Sequence, residues 1–88
     1  MTSSVENINE GTWRLAPNPI RNRITLYTSQ PIEEAHIQLI NLSSETVWEK
    51  TMRVDNQVDL SLGEIPSGFY TVLITSDNKR QSLKLVKI

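Results

Sequence analysis

Apolar residues in this chain recur at every second position in short runs, and a cluster of turn-forming residues interrupts each run. Arg23 to Thr28 sets Ile24 and Leu26 on one face and Thr25 and Tyr27 on the other. Residues 35 to 40 repeat the pattern, with Ala35, Ile37 and Leu39 inward and His36 and Gln38 outward. A period of two is the signature of a half-buried strand. No segment holds a helical period for more than one turn. A chain patterned in this way buries its apolar side chains by packing pleated faces against one another, which predicts an all-β domain.

The remaining runs extend the same reading. Trp13-Arg14-Leu15-Ala16 can begin the domain, and Pro17-Asn18-Pro19 forms a rigid corner between strands, because two of its residues lack an amide donor and each proline restricts its predecessor. A turn is expected at Asn41 to Ser44. Glu45 to Thr51 reads as a strand with Val47 inward and Trp48 on the opposite face. Val58 to Leu62 is a short strand, and Gly63 to Gly68 a loop. Tyr70, Val72 and Ile74 share a face, and Ser76-Asp77-Asn78-Lys79 connects a hairpin, since Asp and Asn tolerate the positive φ that such turns need. The last strand covers residues 80 to 87. Six or seven short strands with turns roughly every ten residues predict an immunoglobulin-like antiparallel β-sandwich. The chain has no cysteine, so the Cys-Trp-Cys spacing of antibody domains is missing.

Residues 1 to 12, rich in Ser, Asn, Glu and Gly, have linker composition, which leaves residues 13 to 88 as the one domain. The sequence reads as a piece of a longer polypeptide with an added start methionine. Its last run, Leu83-Lys84-Leu85-Val86-Lys87-Ile88, keeps the strand pattern and suggests a tail built into the fold and usable as an address.

Charge and chemistry narrow the function. Nine Lys and Arg against ten Asp and Glu give a formal charge of -1, which argues against nucleic acid as a partner. No polybasic membrane patch or spanning segment is present. His36 is the only histidine and its outward position predicts a solvated side chain, so neither a metal site nor a serine nucleophile with a histidine base is expected. Glu33 and Glu34 read as solvated loop charges that an extended backbone would point apart. Three glycines form no phosphate loop. The domain is expected to be no enzyme and to hold no cofactor. Tyr27, Trp48 and Phe69 fall on outward faces if alternation holds, and grouped aromatics can stack on sugars or anchor a protein partner. Gly68 can turn the backbone into its strand while Tyr70 packs its ring and donates its hydroxyl at a corner. Lys84 and Lys87 can be read as charges that discourage edge pairing.

Together, Pro17-Asn18-Pro19, the alternating Ile24 and Leu26, Ile65-Pro66-Ser67-Gly68-Phe69-Tyr70 and Lys84-Leu85-Val86-Lys87 resemble the type A C-terminal sorting domain of type IX secretion system cargo proteins, over residues 13 to 88. The resemblance implies an address joined to an N-terminal cargo. It implies recognition by a shuttle protein and the outer-membrane translocon, passage through the periplasm, and removal by a cell-surface sortase that cuts among residues 1 to 12. It assigns partner recognition to Pro17, Asn18, Pro19, Gly68, Tyr70, Lys84, Leu85, Val86 and Lys87. Ser44 stands where the family often has glycine in the turn after the third strand, and Ile88 follows the last lysine. An adhesion or carbohydrate-binding module using Tyr27, Trp48 and Phe69 is the alternative, and an unpaired strand edge would allow self-association.

Overall fold

The computed structural model describes residues 13–17 and 20–88. The alternating runs become seven strands: β1 (Trp13–Ala16), β2 (Arg23–Thr28), β3 (Ile32–Ile40), β4 (Thr46–Val54), β5 (Gln57–Ser61), β6 (Gly68–Ser76) and β7 (Lys79–Lys87). They form a three-stranded sheet in the order β1-β2-β5 and a four-stranded sheet in the order β4-β3-β6-β7. Every strand pair in these ladders is antiparallel. The all-β sandwich expected from the period of two is therefore the observed architecture. Its fourth strand pairs with the third, whereas in constant-type immunoglobulin domains that strand belongs to the sheet of the first two.

The inner faces are those that alternation assigns on β2, β3 and β6. Ile24 and Leu26, Ala35, Ile37 and Leu39, and Tyr70, Val72 and Ile74 are all buried, and Leu85 of β7 joins them. Removal of this apolar area from water is the main stabilising term, worth about 25 cal/mol per Å².

Alternation fails at the start of β4, and a β-bulge explains why. Between the pairs Leu39↔Trp48 and Ile40↔Thr46, one step on β3 matches two on β4, so Val47 is the extra residue. The insertion shifts the phase of the strand by one position. Val47, expected inward, is 41% exposed, and Trp48, expected outward, packs against the core. The second bulge lies between Ile32↔Val54 and Ala35↔Met52, where β3 carries the extra residue. Glu33 and Glu34 sit there, inside a strand rather than in a loop, which starts β3 three residues earlier than its alternation indicates. Glu33 accepts a hydrogen bond from Arg53 on β4, and Arg53 also pairs with Asp55 at 3.0 Å. The hydrogen bond to Glu33, then its charge, raise the Arg53 pKa above its ordinary value.

Both hairpin turns use residues that accept left-handed backbone. Asp77 and Asn78 have φ of 48° and 66°, the two positive values of a type I′ turn, which suits the twist of β6 and β7. In the β3–β4 turn, Asn41 Oδ1 accepts the amides of Ser43 and Glu45, each at 2.9 Å. Ser44 adopts φ of 67°, the conformation in which glycine carries no Cβ penalty. A non-glycine residue there costs about 1–2 kcal/mol of local strain, offset in part by the greater freedom glycine has when unfolded. Ser44→Gly is expected to stabilise the domain by about 0.5–1 kcal/mol, read as a rise of a few degrees in the thermal unfolding midpoint.

Candidate functional site

Three segments far apart in sequence meet at one end of the four-stranded sheet. β6 begins where β7 ends, with Gly68 opposite Lys87, Phe69 opposite Val86 and Tyr70 opposite Leu85. Ile20 then lies alongside the end of β7 as a parallel bridge to Lys87. Its amide donates to the Val86 carbonyl at 2.8 Å, and its carbonyl accepts the Ile88 amide at 2.9 Å. Ile20 is fully buried. The chain therefore leaves β1 after Ala16, reaches the far sheet at Ile20, and returns to the first sheet, where Asn22 accepts the Leu62 amide at 2.9 Å.

Of the residues assigned to recognition, Asn18 and Pro19 lie outside the described residues, and Pro17 is exposed. Gly68 has φ of 149° and open space where a Cβ would stand, so the backbone angle, not a close neighbour, selects glycine. Tyr70 is buried and donates its hydroxyl to the Pro66 carbonyl four residues upstream, the corner geometry known from immunoglobulin-like strands. Leu85 is buried in the core. Lys84 is exposed and Val86 and Lys87 are half-buried. Lys84 and Lys87 are an odd number of positions apart and leave β7 on opposite faces. The Lys87 Nζ donates to the Ile88 carbonyl at 3.1 Å.

Two residues that the patterning did not single out complete this side of the molecule. Ile20 belongs to no alternating run; its only sequence signal is an apolar side chain directly after the proline corner. Gln81 fastens β7 to β1, its Oε1 accepting the Trp13 amide at 3.2 Å and its Nε2 donating to the Trp13 carbonyl at 3.1 Å. A side-chain amide here imitates a rung of backbone ladder between two sheets. Above the motif end, Leu42 and Phe69 rise beside Val86 and Lys84 around an open hollow of about 390 Å³.

The aromatic residues do not gather. Tyr27 is exposed on β2 in the three-stranded sheet, Phe69 on β6 in the four-stranded one, and Trp48 packs against the core. His36 has neighbours at both ring nitrogens, Thr51 Oγ1 at 2.7 Å from Nδ1 and Glu49 Oε1 at 3.1 Å from Nε2. Among the described residues no cluster of three His, Cys, Asp or Glu side chains could hold a metal ion.

A model of the family described as the secretion system C-terminal sorting domain matches residues 14–88, nearly the whole sandwich. The chain belongs to this family. The sorting domain is thus a C-terminal signal for type IX secretion, which carries proteins to the cell surface or beyond, and it interacts with that secretion machinery. A sorting signal is a tag rather than a catalyst. No curated protein matches the chain. The two family departures have structural accounts: Ser44 takes the backbone angle of a glycine, and Ile88 supplies an amide to Ile20.

Two substitutions test what holds the motif end together. Gly68→Ala is expected to destabilise the sorting domain by about 1–2 kcal/mol, through backbone strain alone. Gln81→Leu, which strands two backbone groups of Trp13, is expected to cost about 1–2 kcal/mol. Denaturant unfolding measures both, and amide exchange at Trp13 should accelerate in the second variant.

Proposed function

We propose that the secretion machinery reads this sandwich as a folded address, at the end where the Ile20 segment, the start of β6 and the end of β7 meet. The observation that carries this reading is the pairing of Ile20 with Val86 and Ile88. It joins the residue that follows the proline corner to the terminal motif by hydrogen bonds, and the register of β6 on β7 brings in the middle motif. Leu85 and Tyr70 are buried, so they serve recognition by shaping the end and not by touching a partner. Lys84 and Val86 present their side chains outward. Backbone pairing by a partner at residues 86 to 88 would first have to displace Ile20, which favours recognition through side chains.

In this reading a cargo lies ahead of residue 1, and the chain crosses the periplasm with its sorting domain folded. A shuttle protein and the outer-membrane translocon bind the domain, and a surface sortase cuts within residues 1 to 12 to release it. Nothing in the geometry favours the adhesion or carbohydrate-binding alternative, because Tyr27, Trp48 and Phe69 share no surface. Self-association through β4 is disfavoured too: that edge carries the bulge at Val47, and Lys50 leaves it on the core side opposite Ile37. Both features discourage edge pairing.

The test is secretion of a periplasm-targeted fluorescent reporter fused ahead of residues 1 to 88 in a bacterium with the type IX system. The intact fusion is expected outside the cell, and one lacking residues 83 to 88 in the periplasm. Because that deletion also removes Leu85 from the core, a Lys84→Ala, Lys87→Ala double variant is compared. Unchanged secretion of this folded variant would sink a role for the lysines.

A further inference from the structure

The first and last segments of the sandwich are fastened side by side and run in the same direction. Trp13, where β1 starts, has its amide and carbonyl bound by the Gln81 side chain at 3.2 and 3.1 Å, early in β7. Further on, Ile20 bridges in parallel to Lys87, with its amide on the Val86 carbonyl and its carbonyl on the Ile88 amide. Trp13 to Ile20 thus lies along Gln81 to Ile88 in matching order, as a parallel seam. Each side of the seam also has an antiparallel neighbour. β2 holds β1 from Trp13↔Thr28 to Ala16↔Thr25, and β6 holds β7 along its whole length, from Ser76↔Lys79 to Gly68↔Lys87.

Parallel order puts residues 13 and 88 at opposite ends of the seam. The chain enters the sandwich beside Gln81, and Ile88 lies roughly 23 Å further along the strand axis, at about 3.3 Å per residue. A pull between residues 13 and 88 therefore acts along β1 and β7. Bonds that cross the line of force share the load and give way together, whereas the same bonds drawn apart from one end break one at a time. Trp13, Ile20 and Leu85 are buried, so slippage of the seam would also carry apolar side chains out of the core. Building on the sorting reading above, in which the machinery holds the sandwich while a cargo trails from the other end, we propose that this seam is a shear clamp. It keeps the sorting domain folded when traction acts between the cargo and the C-terminal segment. The address then persists under a load that would peel a hairpin open.

Unfolding of the whole chain under constant force tests the clamp. The sequence holds no cysteine, so pairs of introduced cysteines define the direction of pull. Handles at Ser3→Cys and Ile88→Cys load the seam lengthwise. Handles at Ser67→Cys and Ile88→Cys peel β7 from β6 at their open end, where Gly68 faces Lys87. At equal force the lengthwise pull is expected to be survived about tenfold longer than the peel, because the rate of unfolding governs forced opening. Gln81→Leu is expected to shorten the lengthwise lifetime by about tenfold, the rate change that loss of one or two hydrogen bonds produces, and to leave the peeling lifetime near its original value. Gln81→Glu, which keeps the acceptor for the Trp13 amide, should fall between. Ile37→Val, a core change on β3 away from the seam, should shorten both lifetimes alike, which separates general loss of stability from loss of the clamp. The comparison of the two directions needs no core change, so it keeps the test valid if Gln81→Leu fails to fold. Equal lifetimes in the two directions, or equal shortening of both by Gln81→Leu, would overturn the clamp and leave the sorting reading standing. Secretion of the reporter fusion lacking residues 83 to 88 would overturn the sorting reading, and the clamp's part in it, even with the lifetimes as expected.

Discussion

Two hydrogen bonds from Ile20, one to the Val86 carbonyl and one from the Ile88 amide, hold the end of β7 against a segment that begins in the other sheet. A last strand paired on one side only is prone to fray. Ile20 covers its second side at one end, and Gln81 ties it to Trp13 nearer the other. Both fastenings join residues more than sixty positions apart, so they form only once the sandwich has closed. Everything at the motif end depends on them, because Gly68, Phe69 and Tyr70 take their positions from the strand that they secure.

The sandwich treats its edges differently. On the β7 side the chain itself supplies partners, through Ile20 and through the Gln81 side chain. On the β4 side, pairing is discouraged by the bulge at Val47 and by Lys50 opposite Ile37. Inward-facing charge and bulges are common ways to keep a sheet edge from recruiting other chains. Under the proposed function this division is useful, since an open edge would pair with whatever strand lay nearby in an attached cargo.

The motif residues fall into two physical groups. Tyr70 and Leu85 are buried, and Gly68 serves through its backbone angle, so these three fix shape. Lys84, Val86 and Phe69 project outward from the strands so shaped, and Leu42 joins them from a turn. Under the proposed function such a signal is legible only while folded, because its outward residues come from separate elements that no linear peptide would present together. Under the proposed function, the machinery would thereby inspect folding and identity in one contact.

Alternation alone determined which side chains of β2, β3 and β6 form the core, because a period of two gives each residue a face without reference to its neighbours in space. The turn at Asp77 and Asn78 was equally legible, since those residue types tolerate positive φ. The resemblance carried by the proline corner, the Gly68 to Tyr70 segment and the lysine-bearing strand named the family correctly. The faces of Val47 and Trp48 were not legible, nor was the place of Glu33 and Glu34 in β3: a bulge is a mismatch between two strands, and a mismatch exists only when both are paired. Ile20 and Gln81 were hidden for the same reason, since each acts on residues that the sequence places far away. Local patterning dictates what a residue can do with its nearest neighbours along the chain, whereas register, bulges and inter-sheet hydrogen bonds depend on distances that only the closed sandwich sets.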